Sequence, residues 1–198
     1  MMDQQSLFGD DLEPPPKLTD RIFFAIVPDA GAIAGIGALT PALKAQHGMR
    51  GRPIAEAKLH ATLCNLGDFP GMPHAKVTLA MQAAASVAAV TAPFVASFDT
   101  AQTFVNRARN RPFVLVGDDG VIGVSALYKS LATAMLKAGL PGNPPSYTPH
   151  ITLLYDDVTA PPQRVAPVAW TVRELVLLHS QIGQSLPYRA LGRWPLQA

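Results

Sequence analysis

The stretch HITLLYDD, His150–Asp157, sets an imidazole and a hydroxyl two residues apart inside an otherwise apolar run. Successive side chains of a β-strand alternate between faces, so His150 and Thr152 point one way while Ile151 and Leu153 point the other. Ninety residues earlier, HATL at His60–Leu63 repeats the pattern within KLHATLCNLG, Lys58–Gly67. A single copy reads most simply as a satisfied histidine on a half-buried strand. A matched pair is an internal repeat, and it predicts two related lobes whose polar strand faces meet across one cleft.

The rest of the chain fits that plan. RIFFAIVP, Arg21–Pro28, is a β-branched and aromatic run closed by proline, the pattern of a buried strand. From Asp29 to about His47, Ile33, Ile36, Leu39 and Leu43 recur at helical spacing, with Asp29 as N-cap and Gly48 as stop. Helical spacing returns over Val77–Val90, and PFVASFDTAQTFV, Pro93–Val105, reads as one or two strands. PFVLVGDD from Pro112 opens the second half with a strand, Ile122–Leu140 is a helix ended by Gly139 and Pro141, and HITLLYDD follows. WTVRELVLLHSQIG and YRALGRWPL read as two late strands. The expected fold is therefore α+β: a two-lobed, pseudo-symmetric pair of duplicated antiparallel sheets, helices outside and a cleft between. Residues 1–20 read as a tail and 21–198 as one domain, its interleaved lobes covering roughly 21–105 and 106–198.

Composition excludes several classes. Of 198 residues, 48% are hydrophobic and 15% charged, which rules out a chain disordered by high charge and low hydrophobicity. A net charge of +2 is too small for a long nucleic-acid footprint and leaves short or terminal nucleic acid as the plausible polyanion. The single Cys64 has no intrachain partner, which fits a cytoplasmic setting. The alanine-rich stretch Val77–Ala96 is interrupted by Gln82, Ser86, Thr91 and Pro93, so no membrane span is expected. The N-terminus lacks the basic and apolar regions of a signal peptide.

Two imidazoles on facing walls suit a reaction in which one group accepts a proton while the other gives one, because neutral and protonated histidine coexist near neutral pH. Thr62 and Thr152 suit a different task, donating hydrogen bonds to the non-bridging oxygens of a phosphate. Acid, base and oxyanion donors are then all present without a metal or other cofactor, and a phosphodiester is the expected substrate.

The paired HxTL motifs, the initial RIFFAIVP and the closing ELVLLHSQIGQSLPYRALGRWPL together resemble the two-histidine phosphoesterase superfamily, in particular its RNA 2',3'-cyclic phosphodiesterases, also called 2'-5' RNA ligases. The resemblance runs from about Arg21 to Leu196 and is most specific in the two motifs. It implies opening of an RNA terminal 2',3'-cyclic phosphate to a 2'-phosphate, with reversible 2'-5' ligation as a side activity. By the same analogy His60 is the proton donor, His150 the proton acceptor, and Thr62 and Thr152 hold the phosphate; the two histidine labels are exchangeable on sequence grounds. The family pattern continues the second motif as HxTLxR, whereas this chain has Tyr155 at the arginine position. A charged, bidentate guanidinium is replaced by a neutral phenol, which keeps a second reading open, a non-catalytic binding module for phosphorylated RNA ends or nucleotides.

Several side chains are candidates to compensate. Arg107, Arg109 and Arg111 alternate and share one face if NRARNRP is extended, the alternative being a solvated basic edge. Lys58 shares the parity of His60, and Tyr155 is suited to stack on a base. Cys64 also falls on the His60 face by parity but reads as a small core residue rather than a nucleophile. His47 and His74 fall in or beside turns and are expected to be solvated, and His179 to be structural. QQSLF, Gln4–Phe8, looks like the short peptides that dock on bacterial sliding clamps, a weak contact carried by Leu7 and Phe8; a clamp-recruited protein with a vestigial domain is the third reading. A cleft complete within one chain predicts a monomer.

Overall fold

The computed structural model describes residues 15–197; the clamp-like segment Gln4–Phe8 lies outside them. Eight strands and three helices follow one another as β1 (Asp20–Ile26), α1 (Ala30–Gln46), β2 (Ala61–Phe69), α2 (His74–Ala88), β3 (Phe94–Thr103), β4 (Arg111–Val116), α3 (Ile122–Lys137), β5 (His150–Asp156), β6 (Gln163–Val172), β7 (Glu174–Gln181) and β8 (Arg189–Pro195). Strand β1 begins one residue inside the expected tail. WTVRELVLLHSQIG is divided between the end of β6 and β7, and the first part of β6 was not visible in its polar, proline-bearing sequence.

All strand pairs are antiparallel, and the sheet order is β6-β3-β4-β5-β2-β1-β7-β8. The two HxTL strands lie at its middle, joined in register only at Ala61↔Ile151. Either side of that seam the order is mirrored: β2-β1-β7-β8 on one flank, β5-β4-β3-β6 on the other. Each flank draws strands from both ends of the chain, β3 joining the second motif and β7 and β8 the first, so the flanks do not follow a division at residue 105.

Helix α1 starts where the sequence places it: the Asp29 carboxylate accepts from the Ala32 amide at 2.9 Å, satisfying one of the free N–H groups of the first turn. It stops at Gly48, whose φ of 63° is a left-handed conformation that disfavours other residues. The main core joins Ile36 and Leu43 of α1, Ala84 and Val87 of α2, and Leu127, Leu131 and Met135 of α3 to sheet residues Ile22, Phe24, Ile26, Leu63, Phe113, Leu115 and Ile151. The alternate residues of β1, Phe23 and Ala25, belong to a smaller cluster with Val176 and Leu178. Strand β1 is thus buried on both faces, as its continuous apolar run predicts. No helix among the described residues is long and apolar enough to cross a membrane.

Candidate active site

The second face of the central strands forms a cleft of about 230 Å³ lined by Arg21, Phe23, Ile54, Lys58, His60, Thr62, Asn65, His150, Thr152, Tyr155 and Tyr188. Both histidines and both threonines of the repeated motifs are therefore brought together. Their alternate neighbours Ala61, Leu63, Ile151 and Leu153 are all in the main core, so the period-two reading of HATL and HITL holds residue by residue.

Past the motif the period breaks, and it breaks the same way twice. In the β1–β2 ladder Ala25 pairs with Thr62 but Phe23 pairs with Asn65, so β2 carries one extra residue. In the β4–β5 ladder Val114 pairs with Thr152 while the adjacent Phe113 pairs with Leu154, so β5 carries one as well. A β-bulge of this kind shifts all later side chains to the other face. Leu63 and Cys64 both turn into the core, as do Leu153 and Leu154, and Asn65 and Tyr155 return to the cleft. Cys64 consequently does not share the His60 face, contrary to strict alternation. Its thiol is fully buried and burial pushes its pKa up to about 12, the opposite of an activated nucleophile. We expect Cys64→Ala to leave the chemistry of the cleft within about twofold of wild type, and the native thiol to resist alkylation until the chain is denatured; rapid native alkylation with loss of turnover would contradict this placement.

The two imidazoles are held alike. His60 Nδ1 is 2.7 Å from the Lys58 carbonyl, and His150 Nδ1 is 2.8 Å from the Thr148 carbonyl. A carbonyl only accepts, so Nδ1–H donates in each case and Nε2 is the atom left for chemistry. His60 Nε2 lies 3.1 Å from Thr62 Oγ1. The hydroxyl donates to a neutral imidazole and accepts from an imidazolium, so the state of His60 decides whether the Thr62 proton is free for a substrate oxygen. Aromatic rings wall both histidines: Phe23 and Tyr188 lie 5.1 and 5.3 Å from the His60 ring, and Phe104 lies 5.1 Å from that of His150. Burial lowers the pKa of each histidine, and the charge of His150 lowers that of His60 further.

The loops before the motifs are exchanged between flanks. The loop before His60 is tied to the second motif's strand: the Arg50 and Gly51 amides each donate to Asp156 Oδ2 at 2.6 Å, and the Ile54 amide donates to the Leu153 carbonyl at 2.7 Å. The loop before His150 is tied to the first: the Tyr147 hydroxyl donates to the Thr62 carbonyl at 2.7 Å, and Asn143 Oδ1 accepts from the Asn65 amide at 2.9 Å. With a single registered residue pair between β2 and β5 at the seam, these reciprocal bonds hold the walls together.

Of the cations expected from alternation, Lys58 alone reaches the cleft, and Arg21 joins it. Arg21, whose role the sequence did not suggest, faces the cleft from β1 and makes a bidentate pair with Asp68, 2.7 Å at each bond. Tyr188 was also missed; it arrives from the loop before β8, remote in sequence from both motifs. Lys58 lies in a 3₁₀ turn, Glu56–Lys58, rather than on the strand, yet still lines the cleft, with Nζ 5.5 Å from the centre of the Tyr188 ring. Residues 106–110 bend instead of extending, so Arg107, Arg109 and Arg111 share no face and none lines the cleft. Arg111 donates to the carbonyls of Arg107 and Asp157, Arg107 lies over the Tyr155 ring at 5.1 Å, and Arg109 enters a separate groove.

The remaining histidines are accounted for. His179 lies 2.6 Å from Asp20 and tacks β7 to β1. His74 is exposed at the start of α2. His47 is not solvated as expected but half-buried, 2.9 Å from Gln163 and edge-on to Phe113, because the end of α1 packs across the second flank.

A two-flanked sheet with an HxT pair on each wall of one cleft defines a two-histidine phosphoesterase. Residues 28–184 match the 2'-5' RNA ligase superfamily, and the chain belongs to that family. Similar solved structures include Escherichia coli LigT without ligand (28% identity, 92% of this chain and 100% of that one, TM-score 0.70) and a phosphoesterase (27%, 91% and 99%, TM-score 0.71). TT0787 of Thermus thermophilus shares the fold (24% identity, 90% and 98%, TM-score 0.70). Other crystal structures of E. coli LigT hold phosphate, 3'-AMP, ATP or NADP+. No curated protein matches the chain.

Proposed function

We propose that this protein is a metal-independent phosphodiesterase that opens RNA terminal 2',3'-cyclic phosphates to 2'-phosphates. The observation that carries the reading is the pair of imidazoles in one cleft, each with Nδ1 fixed by a carbonyl and Nε2 free to exchange a proton. His150 Nε2 takes a proton from water as its oxygen bonds to phosphorus. The bond from phosphorus to the 3'-oxygen breaks, and His60 Nε2 delivers its proton to that oxygen. The exchanged labels, His60 as base and His150 as acid, balance equally well. Thr62 and Thr152 donate to the non-bridging oxygens, where charge accumulates in the transition state. Lys58, with no carboxylate partner among the described residues, supplies countercharge in place of the family's arginine. A 5'-hydroxyl occupying the water's position gives a 2'-5' linkage by the same proton transfers, run in either direction. The phosphate and 3'-AMP complexes of E. coli LigT support a nucleotide-sized phosphorylated ligand.

The test is an RNA oligonucleotide ending in a 2',3'-cyclic phosphate, incubated with wild type and with the His60→Ala/His150→Ala double variant, with and without EDTA. The expected result is EDTA-resistant formation of the 2'-phosphate by wild type alone. Formation of the 3'-phosphate would refute the bond assignment. Tight binding of the cyclic end without turnover would replace the enzyme by a binding module.

A further inference from the structure

With one registered residue pair between β2 and β5, the sheet ladder alone does not fix how Thr62 stands relative to the imidazole on the opposite wall. Two adjacent residues of the loop before His150 supply a direct link. The Tyr147 hydroxyl donates to the Thr62 carbonyl at 2.7 Å, on the first wall, and the Thr148 carbonyl accepts from His150 Nδ1 at 2.8 Å, on the second. Tyr147 itself does not line the cleft. Its ring stacks on that of Tyr128 from α3, centroids 4.1 Å apart and planes 14° from parallel, and the Tyr128 hydroxyl in turn donates to the Pro144 carbonyl. Asn143 of the same loop accepts from the Asn65 amide, three residues beyond Thr62. Pro141, Pro144, Pro145 and Pro149 restrict the loop's backbone, and the last restricts Thr148 as well. Burial raises the pKa of the Tyr147 phenol well above its ordinary value, so the hydroxyl remains a donor across the working pH range.

We propose that Tyr147 is a positioning residue for Thr62: the stiff two-residue spacer Tyr147–Thr148 sets the Thr62 hydroxyl relative to His150 across the cleft. The chain of contacts is short. The carbonyl that Tyr147 holds and the hydroxyl that faces the cleft belong to the same residue, and Thr62 Oγ1 lies 3.1 Å from His60 Nε2. A displaced carbonyl therefore moves the donor and its contact with the first imidazole together. The proposal rests on the phosphodiesterase reading of the cleft and deepens it. A donor aimed at charge that develops on phosphate must be in place before the reaction, and misplacement by about 1 Å costs on the order of 10²-fold. Tyr147 acts without touching the substrate.

The experiment is a double-mutant cycle of Tyr147→Phe with Thr62→Ala. Tyr147→Phe keeps the stacked ring and removes one hydrogen bond, and thermal melting checks that each variant is folded. On an RNA oligonucleotide ending in a 2',3'-cyclic phosphate, Tyr147→Phe should lower kcat by about 10- to 100-fold and leave KM within about threefold of wild type. In the Thr62→Ala background the same substitution should change kcat by less than about twofold, because the donor it aims is already gone. Losses that multiply across the cycle, as a purely structural role gives, or a raised KM at unchanged kcat, would overturn the proposal. The nitrogen resonance of His60 Nε2 reads the same contact without turnover. It should move in Tyr147→Phe and should not respond to that substitution once Thr62 is alanine; a resonance unmoved by Tyr147→Phe would overturn the positioning. If wild type opens no cyclic phosphate, the phosphodiesterase reading fails separately, and the His60 resonance alone then decides whether Tyr147 positions Thr62.

Discussion

Replacing either His60 or His150 by alanine should lower kcat for cyclic-phosphate opening by roughly 10²- to 10⁴-fold, the range for loss of a positioned general acid or base. The wild-type pH profile follows from the cleft. Burial lowers both histidine pKa values, and protonation of one disfavours protonation of the other. The active form has one proton on the pair. It is lost by protonation of the base at low pH and by deprotonation of the acid as pH rises, and both macroscopic pKa values lie below the ordinary 6.5. The kcat/KM profile should therefore be a bell with its maximum below about pH 6.5. Bound phosphate favours the imidazolium, so the kcat bell should lie at higher pH than the kcat/KM bell. Initial rates from about pH 4.5 to 8.5 test this; a profile still rising above about pH 7.5 would show that the paired imidazoles do not control the reaction.

The second large effect is structural. A Cβ on Gly51 would stand 2.0 Å from the Tyr155 carbonyl oxygen and 3.1 Å from a methyl of Leu154. Gly51 has no positive φ, so the requirement for glycine is one of space alone. The loop cannot retreat without stretching its bonds to Asp156 and Leu153, and β5 cannot retreat without disturbing β4 and His150. Gly51→Ala should cost about 1–3 kcal/mol, as overpacking does, lowering Tm by about 2–12 °C for a chain this long. It should also depress kcat in molecules that are still folded, because Tyr155 and His150 share the displaced strand. A Tm within about 1 °C of wild type would mean that the loop accommodates the methyl group and that the seam is softer than its contacts indicate.

The sequence made the chemical centre of the site legible because that centre obeys the simplest periodicity available. His60, Thr62, His150 and Thr152 need only two regular strands to be placed, and Asp29 and Gly48 mark the ends of α1 by local chemistry. What lay beyond were features fixed by distant partners. Twin bulges put Cys64 in the core and Asn65 and Tyr155 in the cleft, and nothing in HATLCN or HITLLY announces an extra residue. Arg21 looks like the first residue of a buried strand, and only the pairing of Arg21 with Asp68 across β1 and β2 gives it a direction. Tyr188 comes from a loop whose path depends on β7 and β8. NRARNRP alternates as an extended segment would, but Asn110 at φ 50° and the bond from Arg111 to the Arg107 carbonyl turn it into a bend.

The mirrored strand order has a consequence for the history of each molecule. The flank that carries the first HxT strand is completed only by β7 and β8, from Glu174 to Pro195. A ribosome therefore releases β1 and β2 long before their sheet neighbours exist, leaving the apolar β1 with a bare edge while more than a hundred residues follow. Such non-local pairing slows folding and exposes unpaired strand edges in the interim. Truncation near Leu175 should yield an insoluble chain rather than a smaller folded domain, and the newborn protein should depend on chaperones until β7 and β8 emerge.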